Sequence, residues 1–227
     1  MQHQRSDQWI SLEQPAQKTV YIIGPRRLQN EIVARCLERE AGIACRIGDD
    51  FSHLPSAGEG PERPGTVLLD CQGKDPLELL AELKSFYQGR LSGYPLVLFN
   101  VSAEQGVEER YVWEGIEGFF YEQDTIDHFL KGVEAVLNGE MWLSRRIMTK
   151  CIREGRAQGN LSKTKSTVLS PRQVEILALV AVGCSNDEIA DKLCISHHTV
   201  KVHLYNIFKK IEVSSRLQAA FWAAKNL

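Results

Sequence analysis

Residues Leu169–Ala223 read LSPRQVEILALVAVGCSNDEIADKLCISHHTVKVHLYNIFKKIEVSSRLQAAFWA, and their punctuation marks out four helices. Ser170-Pro171-Arg172-Gln173 supplies an N-cap serine, a proline at the first helical position and a glutamine at the third. Val174, Leu177, Ala178 and Ala181 then recur at helical spacing until Gly183 stops the helix. Ser185 and Glu188 form a second capping box ahead of Ile189, Ala190 and Leu193. Cys194-Ile195 makes a tight turn, and Ser196 caps a third helix with Val200, Leu204, Ile207, Phe208 and Ile211 along one apolar stripe. A fourth helix follows Ser214/Ser215, with Leu217, Ala220, Phe221 and Ala224 on its expected buried face. Two short helices joined by a short turn, the second basic on its outer face, make a helix-turn-helix.

Away from the stripe of the third helix lie Lys201, Val202, Tyr205 and Lys209. A helix fits the major groove, where lysine reaches guanine O6/N7 and an apolar group touches the thymine methyl. Thr199, Lys209, Lys210 and Arg216 are placed to meet phosphates, which sets register without reading sequence. An isolated basic helix would more often be a solvated face; four helices capped in this order favour a DNA reader.

The charge distribution agrees with that division. The 227 residues carry a net charge of −2, which taken alone argues against a nucleic-acid binder. Residues 161–227, however, hold nine basic and five acidic residues, leaving 18 against 24 for residues 1–160. A tail at +4 is thus hidden behind a head at −6. Between them GRAQGNLSKTKST, Gly155–Thr167, is polar and without apolar periodicity, the signature of a linker. The expected organisation is a flexible segment over 1–17, a head domain over 18–157, a linker over 158–167 and the DNA-binding domain over 168–227.

In the head, short β-branched runs at Thr19–Ile23, Ala44–Ile47, Thr66–Leu69, Pro95–Val101 and Gly118–Tyr121 alternate with helical stretches. The helices are expected at Leu28–Glu40 (Ile32, Val33, Cys36 and Leu37 on one face), Leu77–Tyr87 and Ile126–Leu137. Such alternation predicts a doubly wound, five-stranded parallel α/β sheet. The polar start and the lack of a long apolar run predict a cytoplasmic protein. Six scattered cysteines without a CxxC pair or a His at ligand spacing predict free thiols, and no metal is expected.

Over its whole length the tail resembles the LuxR/FixJ-type DNA-binding domain, through LSPRQ-EIL, G-SN-EIA-L-IS, TVK-H--NI--K and SR-QA. That resemblance implies base-reading positions at Lys201, Val202 and Tyr205, and a fourth helix that contributes to dimerisation on DNA. An α/β domain ahead of such a tail suggests a response-regulator receiver, whose chemistry needs a carboxylate nucleophile, Mg²⁺ held by an acidic pair, a Ser/Thr and a Lys. Asp70, ending TVLLD, matches the phosphoacceptor. The remaining parts depart from the pattern. The first strand ends Ile23-Gly24-Pro25 with no acids, Glu122 stands where the Lys belongs, and Asn100 or Ser102 follows the fourth strand. Asp49-Asp50 lies after the second strand, where a turn cap explains it. Asp70 therefore reads as a vestigial, structural phosphoacceptor.

After the fifth helix the chain continues Gly139-Glu140-Met141-Trp142-Leu143-Ser144-Arg145-Arg146-Ile147, with an expected helix running to Arg156 and five basic residues against two acids. Trp142 and Arg145 fall at i, i+3. An indole stacks a purine, a guanidinium stacks a base or grips phosphate, and a hydroxyl donates to phosphate. A tryptophan locking helix to sheet, with a snorkelling arginine, explains the same residues. The segment resembles the VpsT/CsgD subfamily of LuxR-type biofilm regulators, most of all its VpsT branch, in which a W-[FLM]-[ST]-R motif on an extra sixth helix marks cyclic di-GMP binding. The resemblance implies a ligand site at Trp142, Ser144 and Arg145, an intercalated ligand pair bridging a homodimer, and control of biofilm matrix genes. Double-stranded DNA, and RNA polymerase, are the further partners implied.

The competing expectation is a conventional response regulator phosphorylated on Asp70 by a histidine kinase. An enzyme is disfavoured, since no Gly-rich phosphate loop or nucleophile elbow is present. His3, His53, His128, His197, His198 and His203 form no catalytic constellation readable from spacing.

Overall fold

A computed structural model describes residues 19–54, 65–75, 78, 79, 81, 83, 94–102, 106, 108–157, 169–213 and 215–227. The expected N-terminal segment 1–17, the linker 158–167 and most of the helix expected at 77–87 lie outside the described residues.

Five strands, β1 (Thr19–Ile23), β2 (Ala44–Gly48), β3 (Gly65–Asp70), β4 (Leu96–Val101) and β5 (Ile116–Tyr121), form one sheet of order β2-β1-β3-β4-β5. Every neighbouring pair is parallel. All six residues of β3 are buried, as expected of a central strand covered on both faces. One core cluster joins Tyr21, Val67, Leu69, Leu98 and Phe119; the opposite face gathers Val20, Ile22, Leu68, Val97 and Phe120. This is the doubly wound architecture that the alternating pattern predicts.

Helix α1 (Arg27–Ala41) ends at Gly42, whose φ of 64° is the left-handed cap that glycine adopts without strain. Its buried side chains are Asn30, Ala34 and Leu37, while Ile32 is 61% exposed. The expected Ile32/Val33/Cys36/Leu37 face is therefore rotated, because α1 also has to cover Gly24, to whose carbonyl the Asn30 amide donates at 2.9 Å. A short helix, α2 (Glu108–Trp113), was not foreseen in the sequence; six residues are too few to establish a period. Helix α3 (Ile126–Leu137) starts at the Thr125 cap, where expected.

The helix after it, α4 (Arg145–Ala157), begins later than expected. Residues around Trp142 are extended. Trp142 forms a parallel bridge with Gly118, its N–H donating to the Glu117 carbonyl at 2.8 Å and its carbonyl accepting from the Phe119 N–H at 3.1 Å. The edge of β5 had unpaired backbone groups, and this segment satisfies them. Trp142 and Arg145 therefore do not share a helical face, contrary to the i, i+3 expectation.

The tail comprises α5 (Pro171–Ala181), α6 (Asn186–Leu193), α7 (His197–Lys210) and α8 (Arg216–Asn226). Both capping boxes form, at Ser170/Gln173 and Ser185/Glu188, and the turn between α6 and α7 places Cys194 at φ 52°. Val200, Leu204, Ile207 and Ile211 are buried, as the stripe requires. In α5 the inward face is Ile176, Leu177 and Val180, whereas Ala178 and Ala181 are exposed. Helix α8 carries two apolar faces. Ala219, Trp222 and Ala223 enter the tail's own core, and the expected Leu217/Ala220/Phe221/Ala224 face turns toward the head domain. Truncating the cap, Ser185→Ala, is expected to cost about 1 kcal/mol in urea unfolding, since it frees the Glu188 N–H.

Candidate functional site

Asp70 ends β3 only 2% exposed, so its charge needs partners. Arg26, immediately after β1, provides a two-pronged one. Its Nε donates to Oδ2 at 2.9 Å and its Nη2 to Oδ1. Asn100 Nδ2 donates to Oδ1 at 2.9 Å from a left-handed backbone, φ 55°, and the Gln72 N–H adds a contact at 3.2 Å. A Cβ on Gly24 would sit 2.6 Å from the Asp70 Cβ, so glycine permits this close approach. The guanidinium thus engages both carboxylate oxygens of Asp70. Ser102 Oγ donates to Glu122 Oε1 at 3.3 Å, joining the end of β4 to the residue that stands where the Lys belongs after β5. Arg26 went unnoticed in the sequence; its signal is a cation at the end of β1, where a receiver has acids. Among the described residues no cluster of His, Cys, Asp or Glu could hold a metal ion.

Along the opposite edge lies the WLSR segment. Gly118 and Gly132 make room for Trp142: a Cβ at Gly132 would stand 2.6 Å from the indole and 2.4 Å from the Phe120 ring. The half-buried indole packs 6.5 Å from Phe120 and 4.9 Å from the imidazole of His128, centroid to centroid. His128 Nδ1 lies 3.5 Å from Asp124 Oδ1. Part of the locking role read for this tryptophan is therefore real, and the rest of its surface stays open. Ser144 starts α4, its Oγ accepting from the Ile147 N–H at 3.3 Å, which leaves the hydroxyl proton to donate elsewhere. Arg145 is exposed and makes no ion pair or hydrogen bond among the described residues. Ser144 and Arg146 border a cavity of about 210 Å³ with Tyr121 and Gln123. Lys150, one turn on, pairs with Glu109 at 2.8 Å.

On the tail, Thr199, Lys201, Val202 and Tyr205 are half-buried along α7, while Lys209 and Lys210 are exposed near its end. Thr199 Oγ1 lies 2.8 Å from Ser196 Oγ, and Lys210 donates to Gln173 Oε1 at 2.9 Å. Arg216 departs from the phosphate contact expected of it. It is 9% exposed, its Nη1 donating to Asn186 Oδ1 at 3.0 Å and its Nη2 to the Cys184 carbonyl. Both acceptors belong to the tail itself, which also docks on the head. The Asn186 N–H donates to the Asn138 carbonyl at 3.0 Å, Gln218 Nε2 to the Trp113 carbonyl, and Phe221 stacks 5.6 Å from Trp113. Gly139, at φ +81°, has no room for a Cβ, which would meet Asn186 Nδ2 at 2.3 Å.

Glu117 of β5 lies within electrostatic reach of Arg216 and Lys201, and burial against them dominates, pushing its carboxyl up to about 7. Such a carboxyl holds its proton in the folded state after the unfolded chain has lost it, above about 4.5. Stability is therefore expected to fall as pH rises from about 4.5 to about 7 and to level off beyond. Urea midpoints across that window check this, and Glu117→Gln should flatten the slope.

Residues 167–223 match the luxR family of bacterial regulatory proteins, and residues 22–145 match the VpsT-like receiver domain. The chain is 36% identical over 215 residues to the probable csgAB operon transcriptional regulatory protein of Salmonella typhimurium, covering 92% of this chain and 94% of that one. The CsgBAC operon transcriptional regulatory protein of Escherichia coli is 35% identical over 215 residues, at the same coverages of 92% and 94%. The nitrate/nitrite response regulator protein NarL of Escherichia coli is 32% identical over 161 residues, or 70% of this chain and 73% of NarL.

Proposed function

The chain belongs to the luxR family of bacterial regulatory proteins and carries a VpsT-like receiver domain, and on that premise we propose that cyclic di-GMP, in place of phosphorylation on Asp70, governs its dimerisation and its activity on DNA. It is a transcriptional regulator, related along nearly its whole length to regulators of csg operons. Biofilm matrix genes are the targets this reading assigns, with RNA polymerase as the partner at the promoter.

The observation that carries the reading is the presentation of Trp142-Leu143-Ser144-Arg145. The indole is held on a shelf of Phe120 and His128, the serine stands at a helix start, and the arginine extends unengaged among the described residues. Cyclic di-GMP has two guanines and two phosphate charges. Trp142 and the Arg145 guanidinium offer planar faces to the bases, while Ser144 O–H and Arg145 N–H groups donate to phosphate. The N-terminal end of α4, the positive end of its helix dipole, favours the same negative charge. Ligand shared between two protomers favours the dimer by mass action. The dimer then sets two α7 helices in major-groove half-sites about one DNA turn apart, with Lys201, Val202 and Tyr205 toward bases and Thr199, Lys209 and Lys210 toward phosphates.

The other side of the proposal rests on Arg26. A carboxylate clamped by a guanidinium and an amide is a weakened nucleophile, and the cation beside it disfavours a second cation such as Mg²⁺. Calorimetric titration with cyclic di-GMP, run beside sedimentation at the same concentrations, is expected to give saturable heat and a ligand-dependent dimer. Absence of both overturns the ligand assignment. Incubation with acetyl phosphate and Mg²⁺ is expected to leave Asp70 unmodified in intact-mass spectra, and an acyl phosphate there overturns the second half of the reading.

A further inference from the structure

Where the tail docks on the head, the two domains leave a groove of about 560 Å³, within the size range of small-molecule sites. One wall is the apolar side of α4, Met148 and Ile152; the other is the outer face of α8, Ala220, Phe221 and Ala224. These α8 positions, i, i+1 and i+4, extend with Leu217 over about two helical turns, roughly 10 Å. The lining is thus mainly hydrocarbon, with its polar groups gathered at one end, at Arg216 and Glu140.

Arg216 is the unusual member. It is buried, yet its two described hydrogen bonds go to neutral acceptors, the Asn186 side-chain oxygen and the Cys184 carbonyl. Among the described residues no carboxylate lies within ion-pair distance of it. Burial depresses its pKa from the usual arginine value; Glu117, Cys184 and Glu140 act on it only through space. Glu117 is itself protonated part of the time near neutrality, and Glu140 is exposed at the rim, where water screens it. A guanidinium has five donors, so N–H groups remain for an anion entering from the groove. An anionic head would supply the counter-charge that the protein omits, and an apolar body would cover the walls.

We propose that this interdomain groove binds an amphipathic monocarboxylate of medium chain length, its carboxylate on Arg216 and its chain between α4 and α8. The site is separate from the WLSR segment and does not depend on cyclic di-GMP being the regulatory ligand. A molecule bridging both walls stabilises the docked arrangement by mass action.

Octanoate, 1-octanol and octylamine, compared by calorimetry and thermal shift on the full chain, test this. Octanoate is expected to bind saturably at one per chain and at least tenfold more tightly than octanol, the worth of a hydrogen bond to a buried charge. Octylamine is expected to be the weakest of the three. Ala224→Trp, at an exposed position on the α8 wall, is expected to abolish octanoate binding while the ligand-free melting temperature stays unchanged. Arg216→Gln is expected to erase the preference for octanoate over octanol. Equal binding of octanol, a preference for octylamine, or undiminished octanoate binding by Ala224→Trp overturns the proposal.

Discussion

Arg26→Ala is expected to lower the unfolding free energy by about 3 kcal/mol, the low end of the cost of stranding a buried ion-pair partner. The low end applies because the Arg26 side chain is 32% exposed, whereas that of Asp70 is 1% exposed. Removing the guanidinium leaves a buried carboxylate with Asn100 and a backbone N–H as its described partners. Urea unfolding of the full chain reads the loss. Arg26→Lys is expected to recover only part of it, since an ammonium cannot make the two-pronged contact with both carboxylate oxygens. Adding Asp70→Asn to Arg26→Ala should restore stability relative to Arg26→Ala alone, because the stranded charge is then gone. A loss below about 0.5 kcal/mol, ordinary for a surface substitution, would mean that Arg26 is not the counter-charge of Asp70.

Arg145→Ala is expected to reduce cyclic di-GMP affinity at least about a hundredfold, some 3 kcal/mol, since one guanidinium serves both stacking and phosphate contacts. It should leave the melting temperature essentially unchanged, because Arg145 is exposed and has no partner among the described residues. That pairing separates a ligand role from a structural one. Trp142→Ala, by contrast, would lose both, for the indole also fills the space above Gly132 and Phe120. Unchanged affinity in Arg145→Ala, measured by calorimetric titration, overturns the ligand assignment.

Much of this molecule could be read from particular residues. The strands of the head declared themselves because a parallel sheet covered on both faces demands unbroken apolar runs such as Val67-Leu68-Leu69. The tail was still plainer. Ser170, Ser185 and Ser196 are local caps whose hydrogen bonds span three residues, so their meaning needs no knowledge of the fold. What the residues leave open depends on a distant partner. Helix α8 has two apolar faces, and nothing local says which one meets its own core and which meets another domain. The basic neighbours of Trp142 are helical, which suggests a helix there, but the edge of β5 takes it as strand.

Composition, capping and spacing carry the two-domain plan, the helix-turn-helix, the absence of an acidic pair beside Asp70 and the WLSR segment. Each rests on interactions between residues near in the chain, or on the presence or absence of a residue type. It took the packed chain to pair Arg26 with Asp70, 44 positions away, and to bury Arg216 against the Asn186 side chain and the Cys184 carbonyl. It alone brought α4 and α8 to opposite sides of one groove. The physical reason is common to all three. Each is set by the meeting of surfaces far apart in the chain, which no local period encodes.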